Sequence, residues 1–322
     1  MSSNITHVAV LGATGQTGSV IVKALLESKS PEFKVTSLTR PSSLQKPAVI
    51  ELAKRGVEIV AADLNGPTEE LEKALAGVDI VISTIYGGNL MDEIPLMDAS
   101  KSVGVKRYLP CFFATKEDVL NYAKKLNLPY TVIDVGWWYQ VTLPRLPSGR
   151  IDYAVMETMD GIAGEGNVPF AITDVRDIGK YVARIIVDPR TVNRMVLAYN
   201  EVRTHNQLYD LLESLSGEKM ERKFVPVDAI RSSISEIEAT NPSADSAEFV
   251  TLCQYQYWYS CCVRGDNTPT YAKYLGYLTT KELYPDAEWI SLESYVQEVL
   301  DGKAKRVYEH LEHLTPARAD TK

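Results

Sequence analysis

Short apolar runs alternate with amphipathic stretches of ten or more residues through the first half of the chain. Strands are predicted for six apolar runs, over 7–12, 34–40, 57–64, 79–86, 106–113 and 129–138. Between them, apolar residues at helical spacing predict helices over 17–28, 47–56, 67–76, 91–103 and 116–127. Strands that alternate with helices of this length form βαβ units, and continuously apolar strands fit a sheet covered on both faces. We therefore expect an α/β fold with a doubly wound parallel sheet of the Rossmann type.

The alternation weakens after Trp138, and Pro144, Pro147 and Gly149 mark a break. Beyond this break, short strands are predicted over 151–156 and 194–200, and helices are predicted over 174–187, 204–216 and 291–314. We expect a dinucleotide-binding domain over 1–150. Residues 151–322 are expected to form a smaller, mostly helical substrate-binding lobe and the strands that complete the sheet. The last six residues are expected to form a loose tail.

Composition and charge narrow the range of partners. The chain has 322 residues and a net charge of −8, with 34 scattered basic residues against 42 acidic ones, so a nucleic-acid surface is not expected. No run of 18 apolar residues occurs, and a first strand from His7 leaves no room for a signal peptide. We expect a cytoplasmic protein that acts on a small molecule away from membranes. A homodimer stays open.

The cysteines and histidines argue against a metal site. Four cysteines, at Cys111, Cys253, Cys261 and Cys262, form no CxxC pair, and the chain contains four histidines. This pattern predicts reduced thiols in a cytosolic protein and no bound metal. We expect each cysteine to serve as a small apolar core residue.

A glycine-rich turn follows the first predicted strand. It consists of Gly12, Ala13, Thr14, Gly15, Gln16, Thr17 and Gly18, a GxxGxxG pattern that opens the first helix. Missing Cβ atoms let a backbone approach a pyrophosphate, and N–H groups at a helix N-terminus attract the anion. Because the motif stands in the first βαβ unit, we interpret these seven residues as a dinucleotide-binding turn. A plain strand-to-helix turn is the alternative.

Basic residues follow the second predicted strand, where a site that prefers NAD places an acidic residue for the ribose hydroxyls. This chain has Arg40 there, with Ser42 and Ser43 next to it and Lys46 close behind. A guanidinium can hold a 2′-phosphate through two hydrogen bonds, so the predicted cofactor is NADPH. A solvated loop arginine is the alternative. Asp63, after the third strand, is placed either to meet the adenine edge or to cap the following turn.

Longer stretches of the chain resemble one family. Five stretches are similar to the NmrA-like, isoflavone-reductase-like branch of the atypical short-chain dehydrogenases. They are the motif GATGQTG, the later stretches GVKRYLP and LNLPYTVIDVGWW, the block over 164–200 and the segment ELYPDAEWISLESYVQEVL. The resemblance covers nearly the whole chain. It implies NADPH binding and reduction of aromatic metabolites, such as phenylpropanoid benzylic ethers or isoflavones, in secondary metabolism.

The resemblance also implies a catalytic lysine. The family places it 13 residues ahead of the Pro-Tyr-Thr that opens the sixth strand, and Pro129 points back to Lys116. Apolar surroundings and a helix N-terminus both lower the pKa of an amine there, which could then serve as general acid/base toward a phenol or enol. The alternative is a surface lysine like Lys124 and Lys125. The chain departs from the family in one respect, because the acidic turn and the longer loop before this lysine are missing.

Three aromatic residues, Trp137, Trp138 and Tyr139, follow the sixth strand at the carboxyl edge, where ligands bind in such sheets. We expect them to bind a flat substrate, with an apolar packing cluster as the alternative. Three functions stay open. They are an NADPH-dependent reductase of an aromatic or enone-containing metabolite, an NmrA-like NADP-binding regulator without catalysis, and a non-redox isomerase or cyclase on the same fold.

Overall fold

The computed structural model describes residues 5–85, 91–111, 116–156, 161–243 and 246–308. The strands in chain order are β1 Thr6–Leu11, β2 Phe33–Thr39, β3 Glu58–Ala61, β4 Ile80–Ser83, β5 Arg107–Leu109, β6 Thr131–Val135, β7 Trp137–Trp138, β8 Ile162–Ala163, β9 Phe170–Thr173, β10 Arg194–Ala198, β11 Glu201–Arg203, β12 Phe224–Val225 and β13 Leu278–Thr279. The α-helices are α1 Gln16–Glu27, α2 Pro47–Lys54, α3 Thr68–Ala74, α4 Ile94–Ser102, α5 Lys116–Lys125, α6 Tyr139–Thr142, α7 Val175–Ile185, α8 His205–Ser216, α9 Val227–Ala239, α10 Ala247–Tyr259, α11 Pro269–Tyr274, α12 Thr280–Leu283 and α13 Leu292–Leu300.

The chain divides into two compact units. The first consists of the chain up to Asp134 together with Arg176–Ala198, and the second consists of Val135–Val175 and the chain from Tyr199 onward. This division differs from the single boundary expected at residue 150. The sequence pattern predicts that later strands complete the sheet, but it does not show that α7 returns to the first unit together with β10.

The sheet of the first unit is parallel, in the order β3-β2-β1-β4-β5. In register, Val10 of β1 pairs with Ser37 of β2 on one side and with Ile82 of β4 on the other. The strand order reverses at β1 and β4, so the predicted doubly wound fold is confirmed, and ligands bind such sheets outside the carboxyl ends at that reversal. A parallel bridge from Tyr108 to Tyr130 leads from β5 toward β6, and β6 pairs with β10.

Two contacts within the first unit hold α7 in place. A Cβ on Gly179 of α7 would lie 2.1 Å from the backbone carbonyl oxygen of Val20 in α1, so the two helices meet at a distance that only glycine permits. Buried Arg107 of β5 donates hydrogen bonds to the carbonyl oxygen of Ile185 at 2.7 Å and to that of Asp188 at 3.1 Å. A cation at the end of α7 also complements the helix dipole. These contacts explain why residues 176–198 belong to this unit.

The predicted sixth strand divides at Gly136. A Cβ there would lie 2.8 Å from the backbone nitrogen of Ile172, so the chain can approach β9 only at a glycine. On its far side, β7 pairs with β9 in parallel, and β11 pairs with β9 antiparallel. A second small sheet joins β8 and β12 in parallel. The second unit therefore contains several short strands among its helices.

Two predictions for the second half are wrong. Residues 151–154 form turns rather than a strand, because the backbone N–H groups of Ala154 and Val155 both bond to the carbonyl oxygen of Ile151. The predicted helix over 291–314 ends as α13 at Leu300, where Gly302 adopts the left-handed conformation with a φ of 75°. Residues 309–322, including the expected tail, lie outside the described residues.

The contact between α1 and α7 generates a stability prediction. We expect Gly179→Ala to lower the free energy of unfolding by about 3 kcal/mol, because the new methyl group clashes with backbone rather than with a movable side chain. Urea unfolding followed by far-UV circular dichroism measures the change.

A matched control is Gly104→Ala. Gly104 has a φ of 76° and nothing near its added Cβ, so that substitution should lower stability by about 1 kcal/mol through backbone strain alone. Equal losses in the two variants would show that the close helix contact contributes nothing specific.

Candidate functional site

The first and third glycines of the turn are required by packing. Gly12 has a φ of 81°, and a Cβ there would lie 2.6 Å from the carbonyl oxygen of Thr84. A Cβ on Gly18 would lie 2.2 Å from the carbonyl oxygen of Gly12. Thr84 itself bonds to the Leu11 carbonyl oxygen through its backbone N–H at 2.9 Å and its hydroxyl at 2.8 Å. The end of β4 therefore fixes the shape of the turn after β1.

The middle glycine is exposed to solvent at the edge of the sheet. Gly15 is the N-cap of α1, with its N–H bonded to the Gly12 carbonyl oxygen at 2.9 Å and no side-chain cap. Thr14 is exposed as well, while Ala13 is buried and Gln16 and Thr17 are half-buried. The first turn of α1 contains no acidic residue. This arrangement suits an anion, which a helix N-terminus attracts and which a side chain at position 15 would obstruct.

Arg40 and Lys46 lie at the same edge of the sheet as the glycine turn. Arg40 follows β2, which runs parallel to β1 in the register Leu11 to Leu38, and Lys46 precedes α2. Both residues are exposed. Across the described residues, neither side chain takes part in a hydrogen bond or an ion pair. Two cations without an acidic partner at this position fit a phosphate on an adenosine ribose.

Asp63 accepts hydrogen bonds from the turn that follows it. Its carboxylate accepts a hydrogen bond from the backbone N–H of Asn65 at 3.0 Å, and its carbonyl oxygen accepts one from Gly66 at 3.1 Å. The capping interpretation of this aspartate is the one that the geometry supports.

Lys116 is the first residue of α5, as expected, but its side chain lies outside the described residues, as do residues 112–115. Glu117 and Asp118 follow it in the first turn of the helix, and the exposed Lys124 and Lys125 occupy the last turn. The structure therefore gives the backbone position of Lys116 and leaves its role a proposal.

The three aromatic residues after β6 have different surroundings. Trp137 is half-buried, and its ring packs edge-on against Phe170 at 5.7 Å. Trp138 is also half-buried and stacks on Tyr308, with ring centroids 5.7 Å apart. Tyr139, expected to bind substrate, is instead fully buried, and its hydroxyl donates to the carbonyl oxygen of Ile290 at 3.1 Å. Its place in the core follows from α6, which turns the chain inward immediately after the two tryptophans.

A buried carboxyl at the carboxyl edge of the sheet was not predicted. Glu93 precedes α4 and is fully buried, and the hydroxyl of Tyr108 donates to its Oε2 at 2.9 Å. Burial raises the pKa of Glu93 to about 7, although the hydrogen bond from Tyr108 acts in the opposite direction. In the sequence, Glu93 is indistinguishable from an ordinary acidic residue near a helix start, so no local signal identifies it.

A buried histidine lies in the second unit. Thr204 caps α8 in a capping box with Gln207, and His205 is the first helical residue. The His205 ring packs on Phe170 at 5.1 Å, and its Nε2 lies 4.0 Å from Cys262 Sγ. Burial lowers the pKa of His205 to about 4. The ring is therefore neutral at physiological pH and acts as a core residue.

Among the residues that the structure describes, no group of three or more His, Cys, Asp or Glu side chains could hold a metal ion. Within the same ranges, no helix is both long enough and apolar enough to cross a membrane.

Comparisons with known proteins agree on one family. The NmrA-like family profile matches residues 4–295. The asnovolin J 5′,6′-dehydrogenase of Aspergillus novofumigatus is 48% identical over 315 residues, which cover 92% of this chain and 96% of that protein. A phenylcoumaran benzylic ether reductase of Betula pendula is 27% identical over 317 residues, covering 91% and 98%. The NADPH complex of leucoanthocyanidin reductase from Vitis vinifera has a TM-score of 0.76 at 23% identity, covering 92% and 99%, and confirms the fold.

Glu93 and His205 generate opposite dependences of stability on pH. Folded Glu93 keeps a proton between about pH 4.5 and about pH 7 that the unfolded chain releases, so stability falls as pH rises through this window. The unfolded chain protonates His205 below about pH 6.5 while the folded chain does so near about pH 4, so stability falls as pH falls. We expect the two effects to cancel largely between about pH 4.5 and about pH 6.5.

Single variants should separate these contributions. Glu93→Gln is expected to lose about 2 kcal/mol of stability as pH falls across this window, whereas His205→Gln should gain a similar amount. Urea unfolding at several pH values measures both slopes. Parallel curves for both variants and the natural chain would contradict the assigned pKa shifts.

Proposed function

The chain belongs to the NmrA-like family, and from this premise we propose that it is an NADP(H)-dependent oxidoreductase of a small organic metabolite. The observation that carries the proposal is the uncapped, acid-free N-terminus of α1 beside the exposed Gly15, on the same sheet edge as Arg40. A dinucleotide needs both an anion cradle and a group that recognises its ribose, and this edge offers the two together.

The glycine turn and the two exposed cations fit different parts of NADPH. The backbone from Gly12 to Gly18 would hold the pyrophosphate, and Arg40 with Lys46 would hold the 2′-phosphate that distinguishes NADPH from NADH. Gly12 and Gly18 contribute by allowing the turn, and Gly15, exposed at the N-terminus of α1, would leave room for the ligand. When bound, the cofactor supplies or accepts a hydride at its nicotinamide ring.

Lys116 is the general acid/base of this proposal. It opens α5, at the positive end of the helix dipole. A neutral amine removes a proton from a phenol, an enol or a carbon next to a carbonyl group, and the resulting ammonium returns it in the opposite direction. Its spacing of 13 residues from Pro129 supports this role.

The proposed substrate is an aromatic or enone-containing metabolite. One relative is named a dehydrogenase at two numbered positions of asnovolin J, and another is named a benzylic ether reductase. Dehydrogenation and ether reduction both transfer a hydride between a substrate carbon and the nicotinamide ring, so both names are compatible with one cofactor site. Addition across a conjugated carbon–carbon double bond uses a hydride at one carbon and a proton, from Lys116, at the other. Half-buried Trp137 and Trp138 are the proposed contacts for a flat substrate, with Tyr139 supporting them from the core.

Arg40 gives the first test of this proposal. Arg40→Ala is expected to weaken NADPH binding at least about tenfold and to leave NADH binding within about twofold, because NADH lacks the 2′-phosphate. Quenching of tryptophan fluorescence measures both dissociation constants.

The control is Arg55→Ala, which removes an exposed arginine at the end of α2. It should change neither affinity. An equal loss of NADPH and NADH binding in Arg40→Ala would contradict recognition of the 2′-phosphate by this residue.

Lys116 gives the second test. Lys116→Met should lower turnover of an enone or benzylic ether at least about a hundredfold, with NADPH affinity within about threefold, because it removes the proton donor and not the cofactor site. Loss of nicotinamide absorbance and mass spectrometry of the product measure turnover.

Lys124→Met, on the last turn of the same helix, is the matched control and should retain full turnover. Tight NADPH binding by the natural chain without turnover of any metabolite would favour the regulator. Conversion of a metabolite without oxidation of NADPH would favour the isomerase or cyclase.

A further inference from the structure

Glu93 lies at the carboxyl ends of two neighbouring strands. Its carboxyl accepts a hydrogen bond from the hydroxyl of Tyr108, in β5, and the backbone of Cys111 lies close to it just beyond β5. Ser83, the last residue of β4, also faces it. The Cys111 thiol donates onward to the carbonyl oxygen of Ile85 at 3.2 Å. The carboxyl is thus built into the sheet edge rather than placed on the surface of α4.

Among the residues that the structure describes, the groups that influence the pKa of this carboxyl include no cation. The groups that face it in the described structure are Ser83, Tyr108 and Cys111, all of them neutral side chains. Burial raises the pKa of Cys111 to about 12 and raises that of Tyr108 well above its usual value, so neither ionises near neutrality. Glu93 Oε1 and Ser83 Oγ are both buried without a close hydrogen-bond partner among the described residues. When Glu93 ionises, its charge is therefore poorly screened and acts over a longer range than a surface charge.

The position of this charge relative to the cofactor follows from the strand order. Arg40, at the end of β2, marks the adenosine side of the proposed site, and the glycine turn follows β1. A dinucleotide that crosses the reversal of strand order places its other half on the opposite side of β1, at the ends of β4 and β5. Glu93, which accepts a hydrogen bond from Tyr108 of β5, would therefore lie on the nicotinamide side of a bound dinucleotide.

We propose that Glu93 sets the preference of this site between the oxidised and the reduced dinucleotide. The inference rests on the proposed NADP(H) site and deepens it. Neutral Glu93 is indifferent to the neutral nicotinamide ring of NADPH, whereas the ionised carboxylate attracts the positively charged ring of NADP⁺. The site therefore favours NADPH at low pH and shifts toward NADP⁺ as Glu93 loses its proton, within the physiological range.

The experiment compares dissociation constants of NADP⁺ and NADPH, measured by tryptophan quenching at about pH 6 and about pH 8.5, so that Glu93 is mostly protonated in one condition and ionised in the other. For the natural chain, the ratio of the two constants should shift at least about fivefold toward NADP⁺ at the higher pH. The 2′-phosphate titrates in both ligands, so its contribution cancels in the ratio. Glu93→Gln, which mimics the protonated acid, should give a ratio that does not change with pH.

Asp98→Asn is the matched control. Asp98 lies on the same helix and also accepts a tyrosine hydroxyl, that of Tyr122 at 2.8 Å, but it faces α5 rather than the ends of β4 and β5. This variant should keep the natural pH-dependent ratio. Thermal unfolding monitored by circular dichroism establishes that both variants are folded.

The outcomes separate this inference from the function on which it rests. A folded Glu93→Gln variant whose ratio still shifts with pH would overturn the inference and assign the titration to another group, with Lys116 the first to test. A folded Glu93→Gln variant that binds neither dinucleotide would also overturn it, because the amide should reproduce the neutral carboxyl. Failure of the natural chain to bind either dinucleotide would overturn the proposed function itself and this inference with it.

Discussion

The contact between two backbone segments at the end of β1 is the constraint on which the candidate site depends. Gly12 stands against the Thr84 carbonyl group, and Gly18 stands against the Gly12 carbonyl group, at distances that exclude any side chain. These two contacts set the direction in which α1 leaves the sheet. The direction of α1 decides both where its N-terminal N–H groups point and how its middle part meets α7 at Gly179. One close-packed turn thus determines the anion cradle and the placement of a helix from a distant part of the sequence.

The first half of the fold could be predicted from the sequence because its signals are local. Continuous apolar strands and amphipathic helices of ordinary length identify the βαβ units, and the glycine pattern identifies the turn. Later strands that complete the sheet could be predicted, but the return of α7 to the first unit could not, since it depends on Gly179 meeting Val20 and on Arg107 binding the end of α7. The division of the sixth strand at Gly136 likewise depends on the backbone of β9, which is distant in sequence.

In the candidate site, too, the features that depend on contacts distant in sequence could not be predicted. The glycine turn and Arg40 stand next to recognisable strands, so their position at the sheet edge follows from topology. Tyr139 follows two tryptophans and is aromatic like them. Its burial is decided by a short helix, α6, which is too short to show a periodic pattern in the sequence. Glu93 was missed because burial of a carboxyl is a tertiary property, arising from Tyr108 and the end of β5. Residue type and spacing reveal groups that function in a loop or a helix terminus more readily than groups that function from the interior.

The discontinuity of the first unit has a consequence for its history and for engineering. Its polypeptide leaves after Asp134 and comes back for Arg176–Ala198. A fragment cut once after β6 would carry the glycine turn and Arg40 but would leave the α1 backbone at Val20 without its neighbouring helix and Arg107 without its acceptors. The nucleotide-binding half is therefore not a cassette that a single recombination event could transplant. A graft or a minimal domain would have to carry the returning helix and strand as a second insert.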